Sequence, residues 1–195
     1  PGGSTQGAST ITQQFVKNAL EAQNSRTIFQ KFRESAYAYH LERQWDKDKI
    51  LTQYLNTIYF GEGAYGIEAA ARTYFGYRYP GCGQNGADPC SAELPPEEAA
   101  LLAALISSPA AYSPRVNPND SAAQRNLVLQ KMNEQDVLSD EEYTEAAQQQ
   151  LPPASEIQKP EVRGLRLESL ESGRPEMRQT LDRAEHPAGH PARCQ

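Results

Sequence analysis

Lys31 and Glu34 lie three residues apart in the stretch QKFRES, so on a helix they share a face. Such a pair is either a surface ion pair worth little or the two charges of a reactive pocket. Arg26 and Arg33 add positive charge nearby, and Lys17 adds more from the preceding stretch GASTITQQFVKNAL. Taken together, Lys17, Arg26 and Lys31 around Glu34 suggest a basic pocket holding one carboxylate. A pyrophosphate leaving group needs such cations, because negative charge builds on it as its bond breaks. A carboxylate held there can position a metal ion or a donor group. Thr10, Gln13, Gln14 and Lys17 fall on one side of the first helix. Amides and a hydroxyl can hold sugar or phosphate oxygens; the plainer reading is a solvated helix face. The absence of a Walker-type glycine loop argues against nucleotide phosphates bound in that style.

The histidines offer less. His40 sits in a helical stretch beside Tyr39 and reads as a packed or surface side chain. His186, His190 and Cys194 recur at steps of four, as ligands on a helix would, but Pro187 and Pro191 argue against that helix.

The elements that must carry these residues read as a string of helices with little strand signal. A first helix spans residues 9–20, with Ser9 as its cap and Ile11, Phe15 and Ala19 as its apolar face. A second runs over about 27–44, and Asp46 caps a third containing Ile50, Leu51, Tyr54, Leu55, Ile58 and Tyr59 at helical spacing. FGEGAYG breaks that pattern with three glycines, and IEAAARTYF is a fourth helix that stops at Gly76. PPEEAALLAALI starts a fifth, with Pro96 in the permitted first turn and acids that suit the helix dipole. A sixth follows Asp120 to about Glu134, and Ser139 with Glu142 forms a capping-box pattern for a seventh.

The chain has 195 residues, enough for one domain with a sizeable core. It opens on Pro1, so it is expected to be a piece of something longer. The formal net charge of −6 argues against broad nucleic-acid binding, and no apolar run is long enough to span a membrane. Residues 77–95, rich in Gly, Pro and Cys, read as a surface loop. Cys82 and Cys90 close a short turn-rich segment within it. They read as a disulfide, and so as an oxidising extracytoplasmic setting, ahead of free thiols or half of a metal site. Residues 155–195 hold few large apolar side chains and are expected to form a mostly disordered tail behind a domain of residues 1–154.

GASTITQQFVKN resembles the second signature of the bacterial peptidoglycan glycosyltransferases, glycosyltransferase family 51, the polymerase domain of class A penicillin-binding proteins. QKFRE is similar to the third signature, normally Arg-Lys-x-x-Glu, and ILTQYLNTIYFGEGAYGIEAAARTYFG to the fourth. EEAALLAALISSPAAYSP and RNLVLQKM resemble the last blocks, so the likeness covers about residues 5–150 in the family's order. Gln30 stands where the third signature has Arg, Ala8 where Gly is common, and the 77–95 loop is longer than usual. The first signature, Glu-Asp-x-x-Phe-x-x-His, which carries the general base, does not occur in the chain; neither do the transpeptidase signatures.

The resemblance implies a mainly α, lysozyme-like glycosyltransferase domain, incomplete at its N-terminus. It implies an enzyme that polymerises lipid II into glycan strands by inverting displacement of polyprenyl pyrophosphate. A divalent metal (Mg or Mn) would assist at the pyrophosphate, with no site made by protein ligands alone. Glu34 becomes the catalytic carboxylate near the leaving group. Thr10, Gln13, Gln14, Lys17, Arg26 and Lys31 become substrate-binding, and Asn56, Tyr59, Gly66 and Arg125 groove-shaping or structural. The implied partners are lipid II, the growing glycan, the membrane surface and a transpeptidase domain in the parent chain, at the outer face of the cytoplasmic membrane. Without the first signature's glutamate, this chain is expected to be inactive alone. The rival readings are a lysozyme-like glycan-cleaving enzyme, which needs no cationic pyrophosphate site, and a catalytically incomplete helical interaction module.

Overall fold

The computed structural model describes residues 9–19 and 28–160. Arg26, the histidines near the C-terminus and residues 161–195 of the expected tail lie outside them. The described chain is mainly α and divides between Leu55 and Asn56 into two compact units.

The first unit holds α1 (Ile11–Ala19), α2 (Ile28–Gln44) and most of α3 (Lys47–Thr57). Thr10, not Ser9, caps α1. Its Oγ1 accepts from Gln13 N at 3.1 Å while Gln13 Oε1 accepts from Thr10 N at 3.1 Å, a capping box with glutamine in the third position. The buried stripe of α1 is also turned from the one expected. Thr12, Phe15 and Val16 are buried at i, i+3 and i+4, whereas Ile11 is 46% exposed. Phe15 packs on Trp45, ring centroids 6.3 Å apart, and this contact sets which side of the helix faces in. Tyr37, Ala38 and Leu41 of α2 and Ile50 and Tyr54 of α3 complete this core. Asp46 caps α3 by accepting from Lys49 N at 2.7 Å.

The second unit opens with a small antiparallel hairpin, β1 (Tyr59–Gly61) and β2 (Ala64–Tyr65), paired Tyr59 to Tyr65 and Gly61 to Ala64. Gly61 and Gly63 flank Glu62 in this turn, with Glu62 itself in the left-handed region at φ 50°, and the third glycine, Gly66, caps the helix that follows. Then come α4 (Ile67–Phe75), α5 (Pro96–Ser107), α6 (Pro118–Glu134) and α7 (Asp140–Gln148). α6 starts two residues before Asp120, with Pro118 in its first turn. The capping box of Ser139 and Glu142 at α7 is present. α5 is the hub: Ala100, Leu101, Leu102, Ala104 and Leu105 are all buried, and Ala100 packs with Leu129 of α6 and Ala146 of α7.

Cys82 and Cys90 are bonded, with Cα atoms 4.9 Å apart, so the 77–95 loop is stapled. And residues 155–160 still pack on the unit: Ile157 is buried and Gln158 N donates to the Thr73 carbonyl at 3.1 Å. One well-placed isoleucine holds a stretch whose average composition suggests a tail.

Candidate functional site

Within the first unit, the polar face of α1 is built into the packing of three helices. Gln13 spends its Oε1 on the cap, and its Nε2 donates to Ser35 Oγ of α2 at 3.3 Å. Gln14 Oε1 accepts from the Tyr54 hydroxyl of α3 at 2.9 Å, and its Nε2 donates to the Ser9 carbonyl at 3.3 Å. Burial raises the Tyr54 pKa, so the hydroxyl stays protonated and able to donate. Among the described residues each glutamine has one N–H with no acceptor after these bonds, because a primary amide has two. The amides are therefore oriented groups with donor capacity in reserve, where a solvated face would leave them to rotate.

The charges stand next to these anchors in sequence. Lys17, one turn beyond Gln13 and Gln14, is exposed. Ser35 Oγ donates to the Lys31 carbonyl at 2.9 Å, so the residue Gln13 grips is tied to the turn of α2 carrying Lys31 and Glu34. Lys31 is exposed and Glu34 half-buried. The surface ion pair that their spacing allows is not formed. Among the described residues no side chain bonds Glu34, which leaves its carboxylate uncommitted.

Within the second unit, Asn56 and Gly66 approach each other beside the hairpin that carries Tyr59. Gly66, at φ 85°, donates its N–H to the Ile58 carbonyl at 2.8 Å, and a Cβ on it would stand 2.6 Å from the Asn56 carbonyl. The Tyr59 ring lies 4.8 Å from that of Tyr65. Arg125 is buried, and burial lowers its pKa. It donates to the carbonyls of Gln149 at 2.7 Å and Ala147 at 3.1 Å and to Asn126 Oδ1 at 3.0 Å. Those carbonyls end α7, so Arg125 is the C-terminal partner of that helix.

Some important residues carry no role in the sequence reading. Tyr54 reads as core, yet its hydroxyl sets Gln14. Glu98 reads as a dipole-matching acid, yet it is 2% exposed and accepts from Arg78 Nη1 at 2.7 Å and Tyr79 OH at 3.0 Å. Burial raises its pKa against the pull of both partners. A signal was available: Glu98, Leu101, Leu102 and Leu105 share one helical stripe. Glu62, in the hairpin turn, accepts from Ser113 Oγ and Arg115 Nη1, each at 3.2 Å.

A family model described as Transglycosylase matches residues 1–133. The chain is 45% identical over 146 residues to penicillin-binding protein 1A of Aquifex aeolicus, covering 75% of this chain and 18% of that protein. It is 44% identical over 141 residues to penicillin-binding protein 1A of Mycobacterium tuberculosis, covering 71% and 16%. Among solved structures, it resembles penicillin-binding protein 1A from Haemophilus influenzae with a TM-score of 0.46 and 29% identity, over 71% of this chain and 16% of that one. The chain thus spans less than a fifth of the length of these relatives.

Proposed function

Because the chain belongs to the transglycosylase family, we propose that it supplies the leaving-group side of a peptidoglycan glycosyltransferase. That enzyme polymerises lipid II at the outer face of the cytoplasmic membrane. The observation that carries this reading is the set of oriented amides, Gln13 and Gln14, in sequence with exposed Lys17, exposed Lys31 and uncommitted Glu34. A glycan hydrolase would also want amides and a carboxylate. It has no use for lysines held out of ion pairs, because its leaving group is a sugar hydroxyl without charge.

The chemistry follows from the charges. A sugar hydroxyl of the acceptor attacks the anomeric carbon of the donor, and the polyprenyl pyrophosphate leaves from the opposite face. Negative charge accumulates on the diphosphate as the bond breaks, and Lys17 and Lys31, with Arg26, meet it there. Gln13 and Gln14 direct their remaining N–H groups at sugar or phosphate oxygens. Thr10 acts one step removed, through its cap on Gln13. Among the described residues no group of three or more His, Cys, Asp or Glu side chains could hold a metal. A divalent ion (Mg or Mn), where one assists, would sit at the diphosphate oxygens with Glu34 as a protein carboxylate beside it, and would offset leaving-group charge. The attacking hydroxyl needs a base, and Glu34 cannot serve both faces of an inverting displacement. The family's first-signature glutamate takes that role. Among the described residues no helix is long and apolar enough to cross a membrane. A transpeptidase domain in the parent protein and the growing glycan complete the set of partners.

The test is polymerisation of labelled lipid II by this chain extended upstream with a first-signature segment. Glu34→Gln and Lys17→Ala should each slow it by roughly a hundred- to a thousand-fold, the scale of losing one charge-stabilising group. The 195-residue chain alone should be inactive. Full activity of Glu34→Gln would sink this assignment.

A further inference from the structure

Within the second unit, an open cavity of about 400 Å³ lies where α4, the stapled 77–95 loop and residues 156–158 meet. That size falls among small-molecule sites, roughly 300–1,000 Å³. We propose that it is a second saccharide site, which takes an N-acetylhexosamine unit of a glycan strand. The choice of a glycan rests on the glycosyltransferase reading above; the choice of a neutral polyol rests on the lining.

That lining is aromatic, amide-bearing and close to neutral. Tyr77 and Tyr79 line it, and Gln84 and Gln158 supply side-chain amides that no described residue bonds. Arg72 is already matched, with Nε 2.8 Å from Glu68 Oε1 and Nη2 donating to the Gly83 carbonyl at 3.2 Å. The remaining charge is that of Glu156. A diphosphate would find no unpaired cation here. A sugar would find ring faces for its C–H side and amides for its hydroxyl and acetamido groups.

The cavity is also held open by construction. The Cys82–Cys90 disulfide closes the loop on itself. Glu68 accepts from the backbone N–H groups of Cys90 at 3.1 Å and Ser91 at 2.9 Å, and Arg72 grips Gly83. Tyr79 is fixed through its hydroxyl on buried Glu98, and Arg78 both pairs with Glu98 and lies over the Tyr77 ring, 5.6 Å from its centroid. The far wall hangs on the backbone bond of Gln158 N to the Thr73 carbonyl. Walls tied on three sides give up little freedom when a ligand enters, which is the condition for binding a weakly held polar ligand.

The experiment titrates a soluble oligomer of N-acetylglucosamine into the full gene product and follows binding by calorimetry. Tyr77→Ala and Gln158→Ala should each weaken binding about tenfold, while Lys17→Ala leaves it unchanged. Gln158→Ala keeps the backbone bond that anchors the wall, so a fold defect does not confound it. The proposal is overturned if both cavity variants bind like the wild type, if Lys17→Ala alone abolishes binding, or if the wild type polymerises lipid II and binds no oligomer. Binding with the expected dependence in a protein that fails to polymerise lipid II would uphold the cavity and refute the function proposed above.

Discussion

Replacing Arg125 with methionine separates a structural arginine from a substrate-binding one. Methionine keeps most of the packing of the aliphatic stem and discards the guanidinium. Three bonds go with it. Gln149 is exposed, so water replaces the arginine at that carbonyl and the loss is about 1 kcal/mol. Ala147 is half-buried, and its carbonyl at the end of α7 is harder to rehydrate, so about 2 kcal/mol is lost there. The bond to Asn126 adds about 1 kcal/mol. Relief of the buried charge, whose burial already lowers the Arg125 pKa, returns part of this. The net destabilisation is about 3 kcal/mol, and at roughly 2–4 °C per kcal/mol for a chain of this size the Tm should fall by about 6–12 °C. Circular dichroism melts of wild type, Arg125→Met and Arg125→Lys measure it, with lysine recovering part of the loss through a single retained contact. Under the function proposed above, polymerisation of lipid II by the chain extended upstream to include the first signature, assayed well below the lowered Tm, should proceed at nearly the same rate with and without Arg125→Met. An unchanged melt combined with abolished polymerisation would refute the reasoning and place Arg125 in the substrate groove.

The remaining expectations concern the stapled loop, Glu68 and the carboxylate proposed for the leaving-group side. Converting Cys82 and Cys90 to serine together should cost about 2–3 kcal/mol, the chain-entropy value for a short closed loop, and a thiol titration of the wild type under oxidising conditions should find neither free. Glu68 has a pKa below its ordinary 4.5: burial pushes it up, but bonds from Ser91, Arg72 and Cys90 outweigh that. Its contribution is therefore present above pH 4.5 and lost as the pH falls through the depressed folded value, and Glu68→Gln should flatten the acid limb of a stability–pH curve. For Glu34→Gln, a loss carried by the catalytic rate with an unchanged melt fits the leaving-group role; a lowered melt with full activity does not.

Local rules account for much of this molecule. Helix existence follows from apolar spacing, and the cap at Asp46, the capping box at Ser139 and Glu142, and Pro96 in the first turn of α5 are decided by side chains within a few residues of the backbone they serve. The disulfide between Cys82 and Cys90 is similarly local. The order of the family's signatures is itself a property of the chain, so family membership could be read before any fold was seen.

Choices between competing partners needed the tertiary structure. Thr10 and Ser9 are both good caps, and Ile11 and Val16 are both apolar. Which of each pair is used depends on where α1 meets Trp45 and Ser35, far along the chain. The sequence offers Lys31 and Glu34 as an ion pair at helical spacing, and the fold leaves them apart. Tyr54 and Glu98 show the same limit from the other side. A hydroxyl inside an apolar pattern and an acid in a helix's first turn are ambiguous until a distant amide or guanidinium is brought within bonding distance. Spacing determines which residues share a face. Only packing determines what that face meets, because a buried polar group is stable only when its partner is also delivered.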